Sequence, residues 1–187
     1  MSDQPPAITI QYSANSVRHL FNKESKLADS AKFYGGTKFR PNMTLVMEDD
    51  TFIGSNDVIL VPKLTMKKGS QINANATLTG REPITLGENV VVSYGCTLIT
   101  SSDTPMGHRM NDASPEKQRH IRTGPIQIHN NCFIGANSII MPQVDIAEGI
   151  VVRAGSYVDM FLVFPYHIYS GNKSLKERNF DSKIRHS

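Results

Sequence analysis

An all-β coil built from six-residue units is the fold the sequence predicts, on three observations. Ile128, Ile134, Ile140, Ile146, Val152 and Val158 recur every six residues without a miss. That period fits neither the 3.6 of an amphipathic helix nor the 2 of an ordinary strand, so each unit reads as a short strand plus a turn. The position four after each marker is small or apolar as well, at Cys132, Ser138, Val144, Ile150 and Ser156, which gives each unit two inward side chains. Glycine and asparagine, at Gly87, Gly95, Asn130, Asn131, Gly135, Asn137, Gly149 and Gly155, punctuate the turns, where backbone angles closed to branched residues are needed. Three such hexads close one triangular coil, the pattern of a parallel β-helix of hexapeptide repeats.

Taken in order, residues 1–40 lack a clean register. Val17, Leu20, Phe21 and Leu27 mark either a short helix after Ser16 or an irregular first coil, and the segment is assigned to an N-terminal cap. The β-helix proper is assigned to residues 41–170. It opens with Met47, Ile53 and Ile59, continues in a looser set at Leu60, Met66, Ile72 and Leu78, and resumes at Leu86, Val92 and Leu98. Val90, Cys96 and Ser102 take the second inward position of that last set. Between Ser102 and Ile126 the hexads stop, leaving an inserted loop at residues 103–125. The polar tail, residues 171–187, is expected to cover the far end of the stack, since stacked coils expose strand edges that proteins cover.

Composition narrows the function classes. The chain has 187 residues and a mass of 20.7 kDa, the size of one domain. With 39% hydrophobic and 20% charged residues it is too apolar for a disordered chain and too polar for a membrane protein. The net charge is +3 with acids and bases interleaved, so no footprint for nucleic acid is present. The segment Met1-Ser-Asp-Gln-Pro-Pro lacks the charge and apolar run of a secretory signal, and the longest apolar run, Met160 to Phe164, is far short of the roughly 20 residues that span a bilayer. A cytoplasmic chain with no membrane segment is expected. Cys96 and Cys132, with no CxxC or CxxH spacing, read as reduced, buried thiols.

The chain resembles the hexapeptide-repeat acyltransferases, in particular the sugar O-acetyltransferase and xenobiotic acetyltransferase branches. The matching segments are Ile134-Gly-Ala-Asn-Ser-Ile-Ile-Met-Pro-Gln-Val, Val152-Arg-Ala-Gly-Ser-Tyr-Val and Ser170-Gly-Asn-Lys-Ser. Phe133 stands where the family commonly has tryptophan, Gln143 where it has glycine, and Lys173-Ser174 where it has Pro-Ala. The resemblance implies a left-handed β-helix, a homotrimer with active sites in clefts between subunits, and acetyl-CoA as cosubstrate. Coenzyme A would lie along the coil corners near Gly135, Ala136, Ala154 and Gly155, with Lys173, Lys176 and Arg178 as cations for its phosphates.

The inserted loop holds Asp103, His108, Arg109, Asp112, Glu116, Arg119 and His120, enough for acid–base chemistry; a loop this long inside a regular architecture is functional or disordered. His108 stands in Gly-His-Arg-Met-Asn-Asp, which is similar to the Asn-His-Arg-Met segment of the antibiotic-acetylating branch and to the Asp-x-His segment of the sugar O-acetyltransferases, though four residues separate Asp103 from His108. In those enzymes the loop histidine is a general base. An alcohol attacks a thioester poorly until a positioned base takes its proton, and imidazole, with an ordinary pKa of about 6.5, suits that task. His120 is the second choice, and Asp103, Asp112 and Glu116 are the carboxylates able to orient the ring. A covalent cysteine route is disfavoured because Cys96 and Cys132 both occupy inward positions. No metal is expected, since His120 and His129 are nine apart and fit no β-helical zinc site.

The function expected from this reading is acetyl-CoA-dependent transfer to a hydroxyl of a sugar or polysaccharide precursor. The alternatives are N-acetylation of an amino sugar nucleotide, O-acetylation of an antibiotic, and a catalytically inactive β-helical trimeric scaffold.

Overall fold

The protein is described by a computed structural model over residues 11–178. Its coils stack as a left-handed parallel β-helix. The first face carries Lys26–Leu27, Thr44–Met47, Lys63–Met66, Ile84–Leu86, Ile126–Ile128 and Asp145–Ile146, paired in that order. The second face runs from Lys32–Tyr34 to His167–Ser170, and the third from Lys38–Phe39 to Tyr157–Val158.

Register explains the hexads. On the first face Leu27, Met47, Met66, Leu86, Ile128 and Ile146 stack directly. The second face stacks Phe33, Ile53, Ile72, Val92, Ile134, Val152 and Tyr169, all buried. The third stacks Phe39, Ile59, Leu78, Leu98, Ile140 and Val158. Each ladder position places like apolar side chains on one another, so burial and backbone pairing reinforce each other along the axis.

Two markers of the sequence reading are corrected. Leu60 is 40% exposed while its neighbour Ile59 is fully buried, so Ile59 and not Leu60 is the inward residue of that strand. The cause is coil length. Ile128 to Ile146 spans 18 residues, three clean hexads, whereas Met47 to Met66 spans 19 and Met66 to Leu86 spans 20. The extra residues sit at the corner leading back to the first face and push Leu60 outward. Ser102 is likewise not an inward residue: Thr100 is buried, and Ser102 already pairs with Arg122 in the inserted loop.

Parallel stacking begins at Lys26, inside the segment assigned from sequence to the cap. The helix Ala14–Val17 and a 3-10 turn over Arg18–Leu20 precede it, bringing Phe21 edge-on to Phe39 at 5.0 Å. At the other end Lys173–Glu177 folds back antiparallel on His167–Ser170. The remainder of both assigned caps, residues 1–10 and 179–187, lies outside the described residues.

Asparagine holds most of the left-handed corners that glycine does not: Asn42, Asn56, Asn75, Asn89, Asn131 and Asn137 have φ between 54° and 64°. Gly135 serves a different need, because a Cβ there would come within 2.4 Å of the Ala154 backbone nitrogen on the next coil.

Candidate active site: the inserted loop and the adjoining corners

The chain leaves the third face at Thr100 and returns at Gly124. Between them Ser101–Asp103 and Ile121–Thr123 form an antiparallel ribbon, pairing Ser101 with Thr123 and Asp103 with Ile121. One cation with a largely buried side chain ties the ribbon to the loop. The Arg119 side chain, only 7% exposed, donates through Nε to Asp103 Oδ1 at 2.8 Å and through Nη2 to both Asp103 and Asp112. The fork geometry of guanidinium makes two such bonds at once, and they hold the Asp103 carboxyl below its ordinary pKa. Nothing in the hexad pattern singled out Arg119, because one arginine among several charged loop residues carries no periodic signal.

Above the clamp the loop folds on itself. Thr104 N–H donates to His120 O at 2.8 Å, Thr104 Oγ1 lies 2.6 Å from His120 Nδ1, and Arg109 N–H donates to Gln118 O at 3.1 Å. His108, next to that last bond, is exposed, and its ring has no hydrogen-bond partner among the described residues. The three carboxylates expected as orienting groups are all engaged by arginines: Asp103 and Asp112 by Arg119, and Glu116 by Arg81 at 2.6 Å. None of them orients His108 within the single chain.

Beside the ribbon lies a polar cavity of about 410 Å³, lined among others by Thr79, Arg81, Ser101, Asp103, Asp112 and Arg119. His108 is not part of its wall. Two arginines and two aspartates line it, and Arg81 also pairs with Glu116.

The small residues named from sequence share one corner. Gly135 and Ala136 lie over Ala154 and Gly155 of the next coil, with Gly155 N–H donating to Ala136 O at 2.8 Å. A Cβ on Gly155 would meet nothing within 4 Å, so the corner is open at the exposed Ala154 and Gly155, while Gly135 is buried against the Ala154 backbone. Lys173 lies at the turn end of the terminal hairpin, paired with Ser170, whose strand stacks under Val151–Val152. Lys176 is paired with Ile168 farther along the same hairpin. Arg178 sits elsewhere: its Nη1 donates to Gly149 O at 2.5 Å, at the corner between the first and second faces.

The thiols are unsuited to nucleophilic attack. Cys96 and Cys132 are buried, and burial pushes Cys132 up to about 11 and Cys96 above its ordinary value. His129 pairs with Asp145 at 3.1 Å on the first face, away from the loop. No group of three metal-binding side chains occurs among the described residues.

Comparison with known proteins fits this architecture. Residues 125–159 match the bacterial transferase hexapeptide (six repeats) family. Galactoside O-acetyltransferase of Escherichia coli (strain K12) is 29% identical over 123 residues, which are 62% of this chain and 57% of that protein. A probable macrolide acetyltransferase of Lysinibacillus sphaericus is 46% identical over 63 residues, 33% of this chain and 34% of that one. The chain thus aligns with little more than half of the first relative's length and a third of the second's. Among solved structures, AntD, an N-acyltransferase from Bacillus cereus in complex with dTDP and 3-hydroxybutyryl-CoA, has the same fold, with a TM-score of 0.80 and 23% identity over 92% of this chain and 91% of its own. The repeats in register and the corners of small residues agree with the family match, which covers residues 125–159 and makes this part of the chain similar to the bacterial transferase hexapeptide family.

Proposed function

We propose that this chain is an acetyl-CoA-dependent acetyltransferase that places the acetyl group directly on a hydroxyl of a sugar or polysaccharide precursor, with His108 as general base. One observation carries the reading: the single long break in the repeat presents an imidazole with both nitrogens available, while both thiols are buried. The corner of Gly135, Ala136, Ala154 and Gly155 is where coenzyme A would lie: Ala154 and Gly155 are exposed and leave room for a ligand, while Gly135 lets the two coils approach each other beneath it. Lys173, at the hairpin turn, supplies a nearby cation; Arg178 joins it only by giving up its bond to Gly149. Bound acetyl-CoA supplies an activated thioester carbonyl.

The work of the protein is then proton transfer and positioning. His108 takes the proton of the acceptor hydroxyl as its oxygen bonds to the acetyl carbon, and returns a proton to the departing sulfur as the C–S bond breaks. A backbone N–H at a coil corner steadies the charge that grows on the carbonyl oxygen. That His108 stands apart from the polar cavity of its own chain supports a site completed by a second subunit, as in the homotrimer that the family resemblance implies.

Two relatives favour neighbouring acceptors. The likeness in fold to AntD, a mutant of which was solved with dTDP-4-amino-4,6-dideoxyglucose and coenzyme A, supports an amino sugar nucleotide, and the local identity to the macrolide enzyme supports an antibiotic hydroxyl. Thiol release from acetyl-CoA, followed across neutral sugars, amino sugar nucleotides and macrolides, separates these readings. Turnover with a neutral sugar that vanishes in His108→Ala supports the proposal. Turnover confined to an amine moves the chain to N-acetylation, and neither turnover nor coenzyme A binding makes it a scaffold.

A further inference from the structure

We propose that Gln143 is a positioning residue for the inserted loop: from the next coil it braces the leg by which the loop re-enters the β-helix, and so helps set where His108 is held. The inference rests on the reading of His108 given above.

Gln143 has φ +67°, a left-handed conformation that the other corners give mainly to asparagine or glycine. Glycine would adopt that angle without steric conflict, so the side chain needs a reason to be there. Its contacts supply one. Nε2 donates to Thr123 O at 2.9 Å, and the backbone N–H lies 3.4 Å from Gly124 O. The aliphatic part of Gln143 lies on Gly124 so closely that a Cβ there would come within 2.2 Å of Gln143 Cγ. Arg122, one residue earlier, donates to Asp159 O at 2.7 Å and forms a second tie to the later coils.

The brace connects to the site through paired backbone. Thr123 pairs with Ser101 and Ile121 with Asp103, Arg119 clamps Asp103, and His120 and Gln118 accept from Thr104 and Arg109. His108 adjoins the last of these bonds.

A residue that merely fills a corner and one that braces the loop predict opposite outcomes for Gln143→Gly. As corner filler, the glycine variant melts at the same or a higher temperature and retains its turnover. As a brace, it keeps its melting temperature while amide exchange at Thr104 and Arg109 quickens by about tenfold and kcat falls by about tenfold, with KM for acetyl-CoA unchanged. Gln143→Asn keeps the left-handed angle but is one methylene too short, and follows the glycine variant. Gly124→Ala, which displaces the Gln143 side chain, reproduces the loss in the wild type and adds nothing in the Gln143→Gly background. Unchanged exchange in the loop, or losses that simply add in the double variant, overturn the brace. Exchange is read without substrate, so a quickened loop in a chain whose His108→Ala variant keeps full activity upholds the brace and overturns only the role of His108.

Discussion

Asp57 is the residue that departs furthest from what its position asks. It takes the second inward place of its hexad, where the following coils have Ala76, Cys96, Ser138 and Ser156, and it is fully buried. Oδ1 accepts from the Ala76 N–H at 2.7 Å, while Oδ2 has no partner among the described residues. Burial raises its pKa to about 7. The folded chain therefore holds a proton that the unfolded chain has released, and stability falls as the pH rises from about 4 to about 7, by up to roughly 4 kcal/mol at 1.36 kcal/mol per unit. Asp57→Asn keeps an acceptor for Ala76 and carries no charge. Chemical denaturation should show little difference between the two proteins near pH 4 and a clear advantage for Asp57→Asn at pH 8. Parallel stability curves across that range would show that Asp57 is not titrating in the core. The sequence displayed this residue at a marked position, but an acid four places after Ile53 gives no sign by itself of whether its carboxyl faces solvent or core.

Among the elements, the regular strands were legible and the inserted ribbon was not. The hexads from Ile128 to Val158 place every inward side chain correctly, because each coil there is a whole number of six-residue units. The earlier coils carry one or two extra residues at a corner, which is why Leu60 passed for a core position. The loop was visible only as an interruption, since its order comes from one arginine and two aspartates brought together by the fold rather than by spacing. Arg119→Lys should test that account: lysine keeps the charge but cannot make the forked contact. We expect faster amide exchange across residues 101–123 with the coil amides unaffected, and equal protection in both proteins would mean that strand pairing alone holds the ribbon. The corner strip allows a separate test. Ala154 is exposed whereas Gly135 lies against the next coil, so Ala154→Trp is the cleaner obstruction. It should weaken coenzyme A binding by at least tenfold with little change in melting temperature, about 1.4 kcal/mol of binding. Unaltered affinity by calorimetry would place the cofactor at another corner.

At the scale of the molecule, the single chain leaves the His108 ring without a hydrogen-bond partner among the described residues and an apolar run uncovered. Tyr157, Met160, Phe161, Val163 and Phe164 are each at least half exposed, a run of apolar side chains that an isolated chain would present to water. Association into the proposed trimer accounts for them, and light scattering should then give about three times the 20.7 kDa chain mass. A monomer at micromolar concentration would remove the shared site. The fold could be read from the repeat, but the surroundings of His108 could not, because the loop carboxylates that spacing offered are engaged by arginines. The direct test of the whole account is therefore the turnover of His108→Ala under saturating acetyl-CoA and a working acceptor. We predict an intact trimer with unchanged coenzyme A affinity and a kcat lower by about a hundredfold or more. Near-normal turnover would contradict it, and if His120→Ala then lost activity the base would be His120.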